Sequence, residues 1–320
     1  MKIRLFFMAL CLCVFASCEK DEPVIPDEPV VPPTEQPEEP ETPVEPEEPQ
    51  EPISTDGIIN WNNEFIIVGD NNMASIGSNT WSGVTFGAGK YIVVGGSGVA
   101  VSVNGYDWST VSGSPKNLNK VVWNGSRFIA VSGSGYAYTS NDGNYWNNVG
   151  KMGGTITGNS VTANGSIAVA CGNVGFIAYS NDSGNSWKEI RSGIVSNLNS
   201  ITFGNGKFVA VGRDGDIVYS SDGRTWSYTT IGSSTWEGIV YADGKFVTIG
   251  NRHCAISTDG VSWELHYNVM GSGARTISYN NGVYLVAGNN GMIERSTDGI
   301  NWEATTSLGT NLFGSTAFVG

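Results

Sequence analysis

Five aspartates, Asp142, Asp182, Asp222, Asp259 and Asp298, each follow a serine by two residues and precede a tryptophan by four or five. Carboxylates repeated in this way suggest acid–base chemistry or calcium. A calcium ion takes roughly six or more oxygens, and a retaining glycosidase needs two carboxyls about 5 Å apart; nothing in the spacing shows either. The local chemistry supports a plainer role. An Asp side chain accepts hydrogen bonds from the backbone N–H groups of its own turn, and the glycine beside it supplies the positive φ of a tight hairpin. Each aspartate is therefore expected to tie off one hairpin at the edge of its own sheet, with the tryptophan packing between neighbouring sheets.

A second group of residues has chemistry without repetition: Arg191, Arg213, Asp214, Trp236, Arg252, His253, Tyr267 and Arg275, with His266 beside Tyr267. Arginines gathered on one face hold carboxylates bidentately, and a tryptophan such as Trp236 stacks on a sugar ring. Trp81 stands at the matching place in another repeat, so a packing role for Trp236 is equally open. Asp214-Gly-Asp216 is too short to form a calcium loop. Lys90, Arg127, Lys207 and Lys245 occupy one equivalent turn and read as solvated surface.

The positioning elements are repeats. Six phrases of the form Ser-x-Asp-Gly-x-x-Trp end at Trp108, Trp146, Trp187, Trp226, Trp263 and Trp302, at successive spacings of 38, 41, 39, 37 and 39 residues. A period of this size marks a repeat architecture. One copy runs Leu198–Phe203, turns at Gly204–Lys207, continues Phe208–Gly212, loops through Arg213–Gly215, runs Asp216–Ser220, turns at Asp222-Gly223 and ends on Trp226–Thr229. These are four short runs rich in Val, Ile, Phe and Tyr, punctuated by Gly and Asp, and no long amphipathic helical pattern accompanies them. Four strands per unit, with 43 glycines for turns, predict an all-β propeller. Six complete repeats span Trp81 to Ser307. The fragments Ile58–Gly77 and Leu312–Phe318 are expected to join as a first blade closed by the N- and C-terminal segments, which removes the free sheet edges. The prediction is a seven-bladed β-propeller of four-stranded antiparallel blades over residues 56–320.

Upstream of the repeats the composition changes. Residues 1–17 carry Lys2 and Arg4, an apolar run from Leu5 to Phe15, and Ala16-Ser17 before Cys18. The run is short for a membrane span and reads as a cleaved leader. Its end resembles a bacterial lipobox, with Phe15 where that pattern prefers Leu; the resemblance implies lipid attachment at Cys18. The charged stretch after it looks like the signal that sends lipoproteins to the surface in the Bacteroides group. An ordinary secretory peptide is the alternative. Residues 18–55 form a Pro/Glu-rich stretch expected to be disordered and extended as a stalk. Eleven of the 12 prolines lie within the first 52 residues, and −10 of the formal −13 charge falls before residue 56. The acidity thus belongs to the stalk, and no basic stripe for nucleic acid is present. Cys171 and Cys254 fall two repeats apart and are expected to be small buried apolar residues rather than a disulfide. No cofactor and no metal are implied.

The copy Ser180-Asn-Asp182-Ser-Gly184-Asn-Ser-Trp187 resembles the Asp-box of sialidase-like, BNR-type propellers, whose pattern is Ser/Thr-x-Asp-x-Gly-x-x-Trp. The other copies are one residue shorter, and the first has Asn104 in the Asp position. Photosystem II assembly-factor-like propellers are similar in repeat length. The resemblance implies that the Asp turns lie away from the ligand face, so binding belongs to the opposite loops. A sialidase-like hydrolase would also carry an arginine triad, an Arg-Ile-Pro motif and a Tyr/Glu nucleophile pair. Here there is no Arg-Ile-Pro, Pro115 is the sole proline of the propeller, and candidate carboxylates are few: Asp70, Asp214, Asp216 and Glu237. Binding is therefore favoured over catalysis. The expected protein is a monomeric outer-membrane surface lipoprotein, held by its lipid alone, whose propeller binds a glycan or a protein. An assembly scaffold and a glycan hydrolase are the alternatives.

Overall fold

The computed structural model describes residues 53–55, 58–61, 65–69, 80–154, 157–305 and 313–318. The leader, Cys18, the stalk as far as residue 52, and Asp70 lie outside them. Six blades follow one another along the chain: blade 1 (Trp81–Thr110), blade 2 (Leu118–Lys151), blade 3 (Gly158–Arg191), blade 4 (Leu198–Thr230), blade 5 (Trp236–His266) and blade 6 (Ala274–Ala304), each a four-stranded antiparallel sheet. The count corrects the expectation of seven: the repeat builds six blades. The remaining four-stranded sheet is assembled from the two ends of the chain. Ile53–Thr55, Ile58–Trp61 and Phe65–Gly69 pair in sequence, and Phe313–Phe318 from the far end of the chain lies against Phe65–Gly69. Its first two strands flank Asp56-Gly57 within Ser54-Thr55-Asp56-Gly57-Ile58-Ile59-Asn60-Trp61, a sequence that shares the serine, aspartate, glycine and tryptophan of the repeated phrase. The two chain ends do pair, and the first of these strands begins inside the stretch read as stalk.

Blade 4 shows why the sequence folds this way. Its second strand, Lys207–Gly212, is buried at every position after the lysine, which is why Phe208-Val-Ala-Val211 is apolar throughout rather than alternating. A strand buried on both faces reads as a continuous apolar run. Asn205-Gly206, with φ of 44° and 72°, makes the two-residue hairpin whose right-handed twist suits the strands. The fourth strand, Ser227–Thr230, faces solvent and is polar.

Among the described residues all but one of the hydrophobic clusters join two blades, the exception lying within blade 1. Val209, Val211 and Ile217 of blade 4 pack with Trp236, Ile239 and Phe246 of blade 5, and equivalent sets join blades 1 and 2, 2 and 3, 3 and 4, and 5 and 6. Each Asp-turn tryptophan joins the interface with the preceding blade: Trp146 packs with blade 1 residues, Trp187 with blade 2, Trp226 with blade 3. Cys171 and Cys254 are free and fully buried in two of these interfaces. Burial pushes the Cys254 thiol up to about 11 and raises Cys171 further, so neither is a ready nucleophile.

The Asp turns are hydrogen-bonded ties. Asp222 Oδ1 accepts from the N–H groups of Arg224 and Thr225, both at 2.8 Å, and from the Ser220 hydroxyl at 2.9 Å; Gly223 N donates to Ser220 Oγ at 2.8 Å. The Trp226 indole returns a bond to Gly223 O at 3.1 Å. Blade 1 builds the same turn with an amide, Asn104 Oδ1 accepting from Tyr106 N and Asp107 N at 3.0 and 2.9 Å. The turn also presses on its neighbour. A Cβ on Gly143, at φ 78°, would stand 2.3 Å from Ile92 Cδ1 of blade 1. Three of the four basic residues of the first hairpin turns complete this contact, contrary to their reading as solvated surface. Lys90 Nζ donates to Asp142 O at 3.0 Å, Lys245 Nζ to Asp298 O at 2.9 Å, and Arg127 to Asn185 Oδ1 at 2.7 Å, each reaching the Asp turn of the next blade. Sequence alone shows a lysine in an exposed turn; the ring brings the neighbouring turn within reach of it.

Backbone N–H donors hold Asp222 and Asp259 at about 2, below the usual carboxylate range. The unfolded chain takes up these protons more readily than the fold. The turns therefore contribute fully above about pH 4, and the contribution is lost as the pH falls through about 2. Thermal melts across pH 6 to 2 should show stability declining only below about 4. Asp222→Asn, which keeps the acceptor as Asn104 does, should fold normally with a shallower acid decline. Asp222→Ala should lose about 1 kcal/mol, as removal of a side-chain cap does.

Candidate functional site

The two faces of the propeller differ. Lys90 and Lys245 place the first hairpin turns beside the Asp turns on one face. On the other, the turns between second and third strands meet the linkers between blades: Gly175 N donates to Ser196 O at 2.7 Å and Gly215 N to Ser234 O at 2.8 Å. The innermost strands of all six blades begin on that second face, and each contains a β-bulge one residue in. The unpaired residues are Ser82, Asn119, Asn159, Asn199, Glu237 and Arg275. A bulge re-aims the side chain it carries, and here all six line one cavity of about 180 Å³ at the mouth of the axial channel.

Three amides make a relay around this mouth. Asn119 Nδ2 donates to Gly158 O at 2.9 Å, Asn159 Nδ2 to Leu198 O at 2.8 Å, and Asn199 Nδ2 to Trp236 O at 2.9 Å, each reaching the first innermost residue of the next blade. Blade 5 breaks the series. Glu237 has no donor to offer, and its Oε2 instead lies 3.7 Å from Arg275 Nη1 of blade 6; Arg275 Nε donates to Asn289 Oδ1 at 3.1 Å. Burial raises Glu237, against the opposing charges of Arg275 and, less strongly, Arg213.

Lys120 follows the bulge of blade 2 and lines the same cavity. Its Nζ donates to Ser315 Oγ of the chain-end strand at 2.8 Å, passing blade 1. That route is open because blade 1 has Gly83 here, where a Cβ would stand 2.9 Å from Lys120 Cα. Burial lowers Lys120 to about 8.

The residues singled out from sequence are dispersed. Arg275 lines the cavity and Arg213, exposed in a three-residue turn, acts on Glu237 from nearby. Asp214 is exposed at φ 59° and Arg252 at φ 68°, and Arg191 is exposed at the end of an outer strand. His253 Nδ1 accepts from Asn268 N at 3.2 Å and meets the edge of the exposed Tyr267 ring, with centroids 5.1 Å apart; His266 Nε2 lies 3.4 Å from Glu264 Oε1. Trp236 is 0% exposed and Trp81 3% exposed, so both are core, and Trp236 offers no face to a sugar. Asp216 is tied to Ser196 and Thr230 hydroxyls at 2.5 and 3.1 Å. Glu237 is thus the one carboxylate lining the cavity among the described residues. Sequence reasoning passed over Asn119, Lys120, Asn159 and Asn199. The recurrence of Asn after the residue that opens the innermost strand in blades 2, 3 and 4 was the available signal.

No known family pattern matches the chain, and no curated protein does. Solved structures do. "YCF48 bound to D1 peptide" is 19% identical, covering 73% of this chain and 85% of that one at a TM-score of 0.57. "YCF48 from Cyanidioschyzon merolae" is 14% identical, covering 78% and 90% at 0.57. A computationally designed protein, Ika8, is 10% identical, covering 79% and 81% at 0.55. At these identities the likeness shows the fold alone: a β-propeller.

Core and mouth should separate on substitution. Trp236→Ala should cost about 3–5 kcal/mol by denaturant unfolding, as other buried aromatic truncations do. Arg275→Ala, breaking a half-exposed pair, should stay within about 1 kcal/mol.

Proposed function

We propose that this chain is a non-catalytic propeller that holds a segment of a protein partner at its axial mouth, as a scaffold or assembly module. The observation that carries this reading is the cavity itself. It is a polar recess built by six bulges on the loop face, lined with amides, hydroxyls and two cations. The likeness to YCF48, a photosystem II assembly factor that one of these structures holds with a peptide, supports the reading at the level of fold. Hydrolysis by a carboxylate pair has no support there, since Glu237 lacks a second carboxyl and is engaged by Arg275. Buried Trp81 and Trp236 offer a glycan no face, and no aromatic side chain lines the cavity among the described residues. The Asp-box resemblance remains part of the reading through the Ser-Asp-Gly turns, which fasten blades on the opposite face. The leader, Cys18 and acidic stalk support a lipid-anchored protein at the outer-membrane surface.

Crosslinking of the mature chain on intact cells, with the crosslinked residues mapped, tests this. Wild type should recover a protein crosslinked to the mouth face, and Ser82→Trp, which plugs the cavity, should lose it while melting normally. Crosslinks confined to the Asp-turn face, or binding to a glycan array with no protein recovered, would overturn the proposal.

A further inference from the structure

The mouth contains a charge that no described residue answers with an opposite one. Three ionisable residues line the cavity: Lys120 from blade 2, Glu237 from blade 5 and Arg275 from blade 6. Glu237 and Arg275 answer each other at 3.7 Å. Lys120 has no carboxylate within ion-pair distance among the described residues, and its one hydrogen bond to another side chain goes to the neutral Ser315 hydroxyl. An ammonium has three donors, of which the described residues account for one. The other groups along the neighbouring innermost strands are Ser82, Asn119, Asn159, Ser160, Asn199 and Ser200, none of which ionises there.

A buried charge without a counterion is costly and persists where something else answers it. Blade 1 has Gly83 where its strand passes Lys120 Cα, as blade 5 has Gly238 where its strand passes Thr276 Cα. Around the lysine Asn119, Asn159 and Asn199 each commit one amide N–H to a backbone carbonyl, and Asn159 commits its second to Asn173 Oδ1. The amide oxygens remain as acceptors, and Asn119 and Asn199 each keep a second N–H. The mouth thus offers a cationic point on the blade 2 side and acceptors around its rim.

Resting on the protein-binding reading above, we infer that Lys120 is the anchor for a carboxylate of the bound peptide, with the rim amide oxygens accepting from its N–H groups. A cavity of about 180 Å³ admits a carboxylate and the group that carries it, not a folded element. A peptide supplies acid and N–H donors together. A sugar acid supplies the acid, but finds no aromatic face in the lining.

Burial that lowers Lys120 to about 8 leaves it mostly protonated at pH 7. A bound carboxylate favours the charged form and raises that value. Nuclear magnetic resonance of the mature protein with labelled lysine side chains reads this directly. The probes are acetyl-trialanine as the free acid, its C-terminal amide, acetyl-Ala-Asp amide, and galacturonate. At least one peptide acid should shift the Lys120 Cε resonance saturably and raise its titration midpoint, while the uncharged amide does nothing. Lys120→Met should weaken that acid at least about tenfold, the loss of one charged contact, and Lys120→Arg should restore part of it. The wild-type titration stands even if Lys120→Met fails to fold. No shift from either peptide acid overturns the inference, and a shift from galacturonate alone overturns the peptide source. If Lys120→Met still captures the cellular partner undiminished, the carboxylate anchor is wrong and the protein-binding reading survives.

Discussion

A four-stranded sheet with two apolar faces has no stable existence alone, and this constraint organises the molecule. The second strands of blades 2 to 6 are buried at all or nearly all positions because a neighbour lies on either side. Burial of that kind can be satisfied at every blade only by a closed array. The pairing of Phe313–Phe318 with Phe65–Gly69 is therefore more than a convenience of the termini. It removes the edges that a linear stack would present to water and to other chains.

The Asp turn serves the same need from the outside. Its carboxylate or amide satisfies the turn's own donors, its glycine lets the turn lie flush on the preceding blade, and its tryptophan fills the seam. The lysines and the arginine of the first hairpin turns then reach across to the next blade's turn. One hydrogen-bonded motif thus joins local and long-range structure, which explains why it recurs while its chemical potential as a row of acids goes unused. Asn104 makes the point within the chain itself, since an amide performs the same task without a charge.

The opposite face is governed by the bulges. Where the repeat is regular, an asparagine fastens one innermost strand to the next. Where it departs, at Glu237 and Arg275, the fastening is exchanged for a compensating pair of charges, and Lys120 adds a third charge beside the fastening that Asn119 keeps. Function in a repeat fold is sought at such departures, because the regular positions are already occupied in holding the ring together. Cys171 and Cys254 belong to the regular part, as small residues in tightly packed seams.

Much of the fold was legible in the sequence. Strand order, turn positions and the four-stranded unit follow from local chemistry: apolar runs of five or six residues, Asn-Gly and Asp-Gly turns, and a period near 39. The buried role of both cysteines follows from the same patterning. Other features depend on which residues the ring brings together. Lys90 and Lys245 look solvated until the neighbouring blade supplies a carbonyl, and Trp236 looks available until blade 4 closes over it. Counting fragments as equivalent blades gave seven, whereas the repeat makes six and the ends make a sheet of their own. Arg213, Arg252 and Arg275 looked like one cluster because they share a type and a period, yet only Arg275 lines the cavity. What the sequence by itself determined is the blade, because a blade is specified by contacts close along the chain. The mouth was decided by tertiary structure alone, because its residues lie about 40 positions apart and meet only when the innermost strands surround a common axis.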